Sequence, residues 1–286
     1  AGDRLRNILA SMTRNRFMGV CTGILVTALI QSSSATTVMV VSFVNAGLMS
    51  LVQSIGVIMG ANIGTTVTAW IISAIGFKVN IAAFALPLLG IGLPMVFSGK
   101  SKRKSIGEFV FGFSFLFMGL SYLQKSAEAL ELGNIVANML AGWAGNGGFF
   151  TILLFVFVGA VVTMIVQASA ATMAVTLMLF DMQIPGFGFE LAAALAMGQN
   201  IGTCVTALLS AIGASKNARR ASLIHLYFNL IGTILFMAAF YAINAVFPFA
   251  FLEGSANGAG IAVIHTTFNV VATLALLPFS SLLEKL

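Results

Sequence analysis

The sequence predicts an all-α polytopic membrane protein built from two inverted-topology repeats, each holding a re-entrant hairpin and a discontinuous transmembrane helix. Three observations carry that expectation. Charged residues are 8% of the 286, against about 25% in ordinary globular domains, and hydrophobic residues are 59%. Charge-free runs cover 17–77, 79–99, 109–124, 132–180, 191–215, 221–252 and 254–283, most of them long enough to supply the roughly 20 residues a helix needs to cross a bilayer. Third, the chain repeats itself. "GANIGTTVTAW" at 60–70 matches "GQNIGTCVTAL" at 198–208 in eight of eleven positions, an offset of 138, and "TALIQSSSAT" from Thr27 returns as "TMIVQASAAT" from Thr163, an offset of 136. Two nearly equal offsets in the same order define a duplicated unit.

The elements follow in order. After a basic segment from Arg4 to Arg16, the apolar stretches 17–30 and 35–48 flank Gln31; at about 21 Å each they are short for a crossing and read as a hairpin with its polar tip near the midplane. Residues 51–76 are long enough to cross but carry Gly60 and Gly64 around Asn62, and the expected form is a broken helix. Helices near 79–97 and 105–125 follow. The second half supplies a hairpin at 149–182, a broken helix at 189–214, and helices near 221–245 and 259–282. The segment "YLQKSAEALELGNIVANML" from Tyr122 has helical spacing with mixed charge and is expected along the outer surface. The whole, 1–286, reads as a single transmembrane domain, with repeat one about 1–98 and repeat two about 105–286.

Orientation comes from the basic loops. With Arg4 to Arg16 inside, this order of crossings returns Lys100, Lys102, Arg103 and Lys104, and then Lys216, Arg219 and Arg220, to the inside as well. Lys78 and Lys216 are matched positions yet fall on opposite faces, as inverted repeats require. Both termini are expected in the cytoplasm and the chain in the cell membrane. The net charge of +6 is local to these loops and reads as topology, not nucleic-acid binding. Cys21 and Cys204 have no CxxC partner and lie in apolar runs, so they are expected as buried hydrophobes. The chain starts at Ala1 without a visible cleavable leader, which reads as a start within a longer protein.

The polar tips carry the function. Small residues alone would suit close helix packing, but Gln31, Gln167, Asn62 and Asn200 recur at matched places, and a buried amide costs free energy without a partner. A helix starting at such a tip offers free N–H groups and a positive dipole end to an anion. Carbonyls at the ends of interrupted helices suit a cation. Such paired, facing tips are a construction of secondary transporters. The pair QSSSATT and QASAAT, followed 31 and 33 residues later by NIGTT and NIGTC, resembles the type II sodium/phosphate cotransporter family. The resemblance implies symport of inorganic phosphate with Na⁺ by alternating access. Phosphate would sit at Gln31, Ser32, Ser33, Ser34, Gln167, Ser169 and Thr172. Na⁺, the co-transported ion, would use Asn62, Thr65, Thr66, Asn200, Thr203 and Thr206 with Gln31 and Gln167. Ala168 and Ala170 depart from the family's serines, so the first tip should supply more side-chain donors. Cys204 stands where repeat one has Thr66, and a site using that hydroxyl would exist in one half only. Many family members carry a further amino-terminal helix and some a carboxy-terminal regulatory domain, so the chain reads as a core.

Neither motif region contains Lys or Arg, so bound Na⁺ would have to balance a phosphate dianion. Two other readings stand beside this one. A different small anion, sulfate or a carboxylate, would keep the architecture; an intramembrane hydrolase with Ser33 as nucleophile and His225 or His265 as base lacks a nucleophile elbow and leaves the second tip unexplained, so the chain is expected not to be an enzyme. The histidines of "IHLYFN" and "IHTTFN" are expected as neutral rings bonded to a carbonyl or to Asn229 and Asn269. Glu108, Asp181 and Glu190, at segment ends, are expected at the interface. Inorganic phosphate, sodium ions and the lipid bilayer are the partners, and a homo-oligomer is left open.

Overall fold

The computed structural model describes residues 2–76, 82–143, 148–249, 252 and 257–285. Every regular element among them is helical: α1 (Gly2–Met12), α2 (Arg16–Ile30), α3 (Ser33–Asn45), α4 (Leu51–Ile71, continued by a π-helical turn Ile72–Gly76), α5 (Ala82–Val96), α6 (Ser101–Ala129), α7 (Leu132–Trp143), α8 (Gly148–Val166), α9 (Ser169–Asp181), α10 (Phe189–Ser210), α11 (Lys216–Val246), α12 (Gly258–Leu276) and α13 (Ser280–Lys285). Of these α4, α6, α8, α10, α11 and α12 are long and apolar enough to cross a membrane. The chain is a multi-pass membrane protein. Lys78, on which the sidedness of repeat one turns, lies outside the described residues.

Local chemistry sets the element ends. Asn15 caps α2 by accepting the N–H of Met18, and Ser50 with Gln53 closes a reciprocal capping box on α4, the arrangement that satisfies two orphan donors at once. Pro278 follows directly on Leu277, and the segment expected as one helix over 259–282 is therefore two, α12 and α13.

The centre consists of α4 and α10, whose apolar stretches are 72% and 78% buried. α4 packs on α2, and α10 packs on α8; α3, α9, α11 and α12 fill the space around this pair. The two close contacts are built alike. On α4, Gly60 faces the Val20 carbonyl and Gly64 lies where a methyl would come 2.7 Å from the Ile24 carbonyl oxygen and 2.8 Å from the Thr27 side chain. On α10, Gly198 faces the Val156 carbonyl, and Gly202 faces Ala160 and the Thr163 side chain. Gly23 and Gly159 do the same from the α2 and α8 sides. All of these partners are related by the sequence offsets of 136 and 138, so the duplication extends to backbone packing. Lipid gives apolar helices no hydrophobic reason to associate, and close approach through small residues supplies the attraction instead.

This contact corrects one expectation. Neither α4 nor α10 is discontinuous: the first runs unbroken through 60–66 and the second through 198–204. The glycines are there to admit a neighbouring backbone, and the polar side chains bond back along their own helix, Asn62 to the Ile58 carbonyl (3.0 Å), Thr65 to Ala61 (3.0 Å) and Thr203 to Gln199 (2.9 Å). The hairpins also differ from each other. α2 and α3, at 15 and 13 residues, are about 20 Å long and short of the bilayer core. α8 has 19 residues because nothing interrupts its apolar run, whereas α2 is cut at its start by the Arg14–Asn15–Arg16 turn.

α5 and α6 form a separate pair, joined where Gly92 and Gly107 let the helices meet. Much of α6 faces outward, with Phe109, Phe115 and Leu116 exposed. The polar segment after Tyr122 divides into the end of α6, a turn at Leu130–Glu131 and the amphipathic α7. Glycine position sorts the cost of a methyl. Gly60→Ala and Gly198→Ala are each expected to lose about 1–3 kcal/mol or more through overpacking against a carbonyl, while Gly112→Ala and Gly119→Ala, which meet no neighbour within 4 Å, cost nothing. Yield of monodisperse protein after detergent extraction, followed by thermal unfolding, checks the contrast.

Candidate functional site: two matched polar tips

Each tip is a two-residue turn whose shape is fixed by one glutamine in the left-handed region. Gln31 (φ 58°) ends α2 and Gln167 (φ 57°) ends α8, and their N–H groups bond to Thr27 and Thr163 carbonyls at 2.7 and 2.8 Å. The next residue is extended in both, Ser32 at φ −145°, ψ 102° and Ala168 at φ −139°, ψ 100°. Helices α3 and α9 then begin. A non-glycine residue at positive φ is uncommon; here the glutamine side chain over-determines the turn. Its Nε2 donates to the Ala28 or Met164 carbonyl. Its Oε1 accepts from Thr68 Oγ1 at 3.0 Å in the first tip and from Thr206 Oγ1 at 2.6 Å in the second. Each tip is thereby clamped to the long helix of its own half. A second strut joins the hairpin arms, Thr27 Oγ1 to Thr36 Oγ1 (3.0 Å) and Thr163 Oγ1 to Thr172 Oγ1 (3.1 Å).

The expected phosphate residues separate into clamps, caps and open donors. Gln31 and Gln167 are clamps. Ser32 is spent as the cap of α3, accepting the Ala35 N–H at 3.1 Å, and Ala168 leaves α9 without that cap. Thr172 is tied into the arm strut. Ser33, Ser34 and Ser169 have hydroxyls with no hydrogen bond to a described residue, and Ser33 is only 3% exposed. The free N–H groups of the first turns of α3 and α9 add backbone donors. Among the described residues no charged side chain hydrogen-bonds to either tip, and the helix ends contribute a positive field there. Among the described residues no hydrogen bond crosses from one tip to the other.

The expected sodium residues are less alike than their sequence. Asn200 is fully engaged by α12: its Nδ2 donates to Asn269 Oδ1 at 2.7 Å, and its Oδ1 lies 3.1 Å from His265 Nε2. Asn62 makes only the bond to its own helix. Thr66 bonds to Ile63, and its counterpart Cys204 contacts the carbonyls of Asn200 and His225 and receives Asn229 Nδ2. The histidine partners also differ from the expectation. Asn229 and Asn269 donate to the backbone carbonyls of His225 and His265, His265 pairs with Asn200, and both ring nitrogens of buried His225 are without a partner. Neither imidazole hydrogen-bonds Ser33. Cys204 is buried as expected, but Cys21 is exposed, since α2 turns that face away from α4. Glu190 accepts from Tyr241 at 3.3 Å, which holds it near the α10 start.

Sequence reasoning missed Thr68 and the Thr27–Thr36 and Thr163 struts. The signal was present: position 68 precedes Thr206 by the repeat offset of 138.

Fold and tips define a class, an all-α multi-pass membrane protein with a duplicated, charge-free polar turn between paired helices. Residues 1–125 match the Na⁺/Pi-cotransporter family, the family the double motif resembles. Among relatives, the YjbB protein of Salmonella typhimurium, whose name assigns it provisionally to inorganic phosphate export, is 28% identical over 99% of this chain and 50% of its own length. The uncharacterized protein YqeW of Bacillus subtilis is 28% identical over 100% of this chain and 88% of its own. The sodium-dependent phosphate transport protein 2A of Ovis aries is 45% identical over 73 residues, 26% of this chain and 11% of its own. The chain spans about half the length of the YjbB relatives it matches. No solved structure matches it.

If the glutamine clamps hold the tips, Thr68→Val and Thr206→Val should each destabilise by about 1 kcal/mol, the net worth of one hydrogen bond. The two losses should be of similar size. Thermal unfolding of the purified variants measures them.

Proposed function

We propose that this chain transports inorganic phosphate across the cytoplasmic membrane in symport with Na⁺ by alternating access. The observation that carries the reading is the pair of helix starts at Ser33 and Ser169, reached through turns of matching φ and ψ, each presenting free N–H groups and unbonded hydroxyls in a motif without Lys, Arg, Asp or Glu. Such starts attract an oxyanion. Ser33, Ser34 and Ser169 with the adjoining backbone N–H groups would bind it directly; Gln31, Gln167 and Thr172 would hold the shape, and Ser32 would set the first turn of α3. Partial charges at two helix ends are too small to balance a phosphate dianion, and Na⁺ supplies the remainder. Asn62, Thr65, Thr66 and Thr203, with the outward lone pairs of Gln31 and Gln167, are the residues for it. Asn200 and Thr206 would act chiefly by position, since their polar atoms already have partners.

The matched glycine contacts support the two-repeat architecture, and the basic loops support inversion with both termini cytoplasmic and both hairpins re-entrant. Net direction would follow the imposed gradients, which accommodates both the export named for YjbB and the sodium dependence named for the sheep protein. Transport of sulfate or a carboxylate by the same geometry is the second reading, because backbone N–H groups do not by themselves distinguish oxyanions.

Proteoliposomes loaded with phosphate, sulfate or succinate and given Na⁺, K⁺ or choline separate these readings; phosphate flux requiring Na⁺ is expected, and equal flux in K⁺ would remove sodium coupling. Ser33→Ala should raise the half-saturating phosphate concentration by roughly 10- to 150-fold, corresponding to about 1.5–3 kcal/mol for a hydrogen bond to a charged ligand. Ser11→Ala should leave it unchanged. Wild-type affinity in inserted Ser33→Ala protein would remove Ser33 from the site.

Single cysteines at positions 102 and 219, in a background lacking Cys21 and Cys204, should react with impermeant reagent only from the cytoplasmic side. A cysteine at 78 should react from outside. Labelling of 78 and 102 from one side would reject the inversion.

A further inference from the structure

A cleft of about 740 Å³ opens where three separate stretches meet, 13–17 at the α1–α2 turn and the first residues of α2, 50–53 at the start of α4, and 277–278 after α12. Arg14 and Arg16 line it, and no Asp or Glu does. The cleft is braced rather than incidental: Gln53 Nε2 donates to Thr13 Oγ1 at 2.9 Å, and Thr22 Oγ1 to the Met12 carbonyl at 2.7 Å. Thr13 is 3% exposed, so the base of the cleft is packed, while Arg14 and Arg16 are exposed along its lining.

Of the chain's basic residues, these two line the cleft, whereas each of the other two clusters has one member already engaged. Lys104 lies 3.9 Å from Glu108, and Arg220 donates to the Glu284 carbonyl. Arg14 and Arg16 have no ion pair and no side-chain hydrogen bond among the described residues. Two unbonded guanidinium groups lining one cleft present up to ten donors in forks that match phosphate oxygens. α2 and α4 also begin at this cleft, and their positive ends add potential of the same sign. One wall is apolar, formed by Phe17, Leu277 and Pro278.

We propose that this cleft binds a phosphate oxyanion at the mouth of the α2–α4 pair, separate from the polar tips. The ligand is either free inorganic phosphate or the phosphate of an anionic lipid headgroup, whose glycerol would lie on the apolar wall. The volume admits both.

The test uses the full chain in detergent, in K⁺ buffer without Na⁺ and in a Ser33→Ala background, so that failure of the tip assignment leaves it intact. Thermal unfolding is followed against inorganic phosphate in one arm and against phosphatidylglycerol, with phosphatidylcholine as control, in the other; binding to the folded state raises the unfolding temperature by mass action. At least one ligand should stabilise the parent, with its apparent affinity falling tenfold or more in Arg14→Gln/Arg16→Gln and unchanged in Lys102→Gln/Arg103→Gln. Loss in the phosphate arm identifies the free ion, and loss in the lipid arm identifies the headgroup. The single Arg14→Gln, whose side chain is exposed and unbonded, serves if the double variant does not fold, with a smaller fall of about threefold or more. Absence of stabilisation by either ligand, or equal loss in the Lys102/Arg103 pair, overturns the proposal.

Discussion

Backbone approach of α2 to α4, and of α8 to α10, is the constraint on which the rest depends. Only at the distance that Gly60, Gly64, Gly198 and Gly202 allow does Thr68 reach Gln31 and Thr206 reach Gln167. The glutamine bonds then hold two residues at positive φ, and those residues aim the starts of α3 and α9. A methyl at the glycine contact would act on the tip without touching it. In a chain surrounded by lipid this dependence is strong, because no hydrophobic pressure restores helices that have been pushed apart.

The second constraint is that a buried polar atom needs a partner. Most of the amides and hydroxyls in the core meet it locally, by bonding to a carbonyl one turn back. Among the described residues the buried atoms left over are Gln199 Oε1, both ring nitrogens of His225, Asn229 Oδ1, His265 Nδ1 and Thr273 Oγ1; the hydroxyls of Ser33, Ser34 and Ser169 at the tips are likewise unbonded. The residues that sequence pairs most closely are separated by this accounting. Asn200 is committed on both sides of its amide and Asn62 on one; Ser32 caps a helix and Ala168 does not. A duplicated scaffold therefore presents two unequal sets of polar atoms.

The periphery is organised differently. α5 and α6 pack chiefly on each other, with a row of phenylalanines, among them Phe109 and Phe115, turned outward, as suits a lipid-facing pair. Basic residues gather near helix ends, where Lys104 pairs with Glu108 and Arg14 and Arg16 line an open cleft.

Composition and the duplicated motifs determined much by themselves. Long charge-free runs must satisfy their backbone polar groups within helices, and a glutamine repeated at a fixed offset marks two turns of the same shape. Helix existence and the matched turns at Gln31 and Gln167 were legible for that reason. The break expected at "GANIGTT" was not, because glycine beside asparagine reads the same whether it interrupts a helix or admits a neighbour. Only the carbonyls of Val20 and Val156 lying opposite decide between the two. Likewise no local signal says that Asn200 is held by His265, or that Arg14 and Arg16 close a cleft with residues 50–53 and 277–278. Periodicity and composition act along the chain, whereas which polar atoms are already satisfied depends on neighbours brought together across it, and that accounting was settled by the tertiary structure.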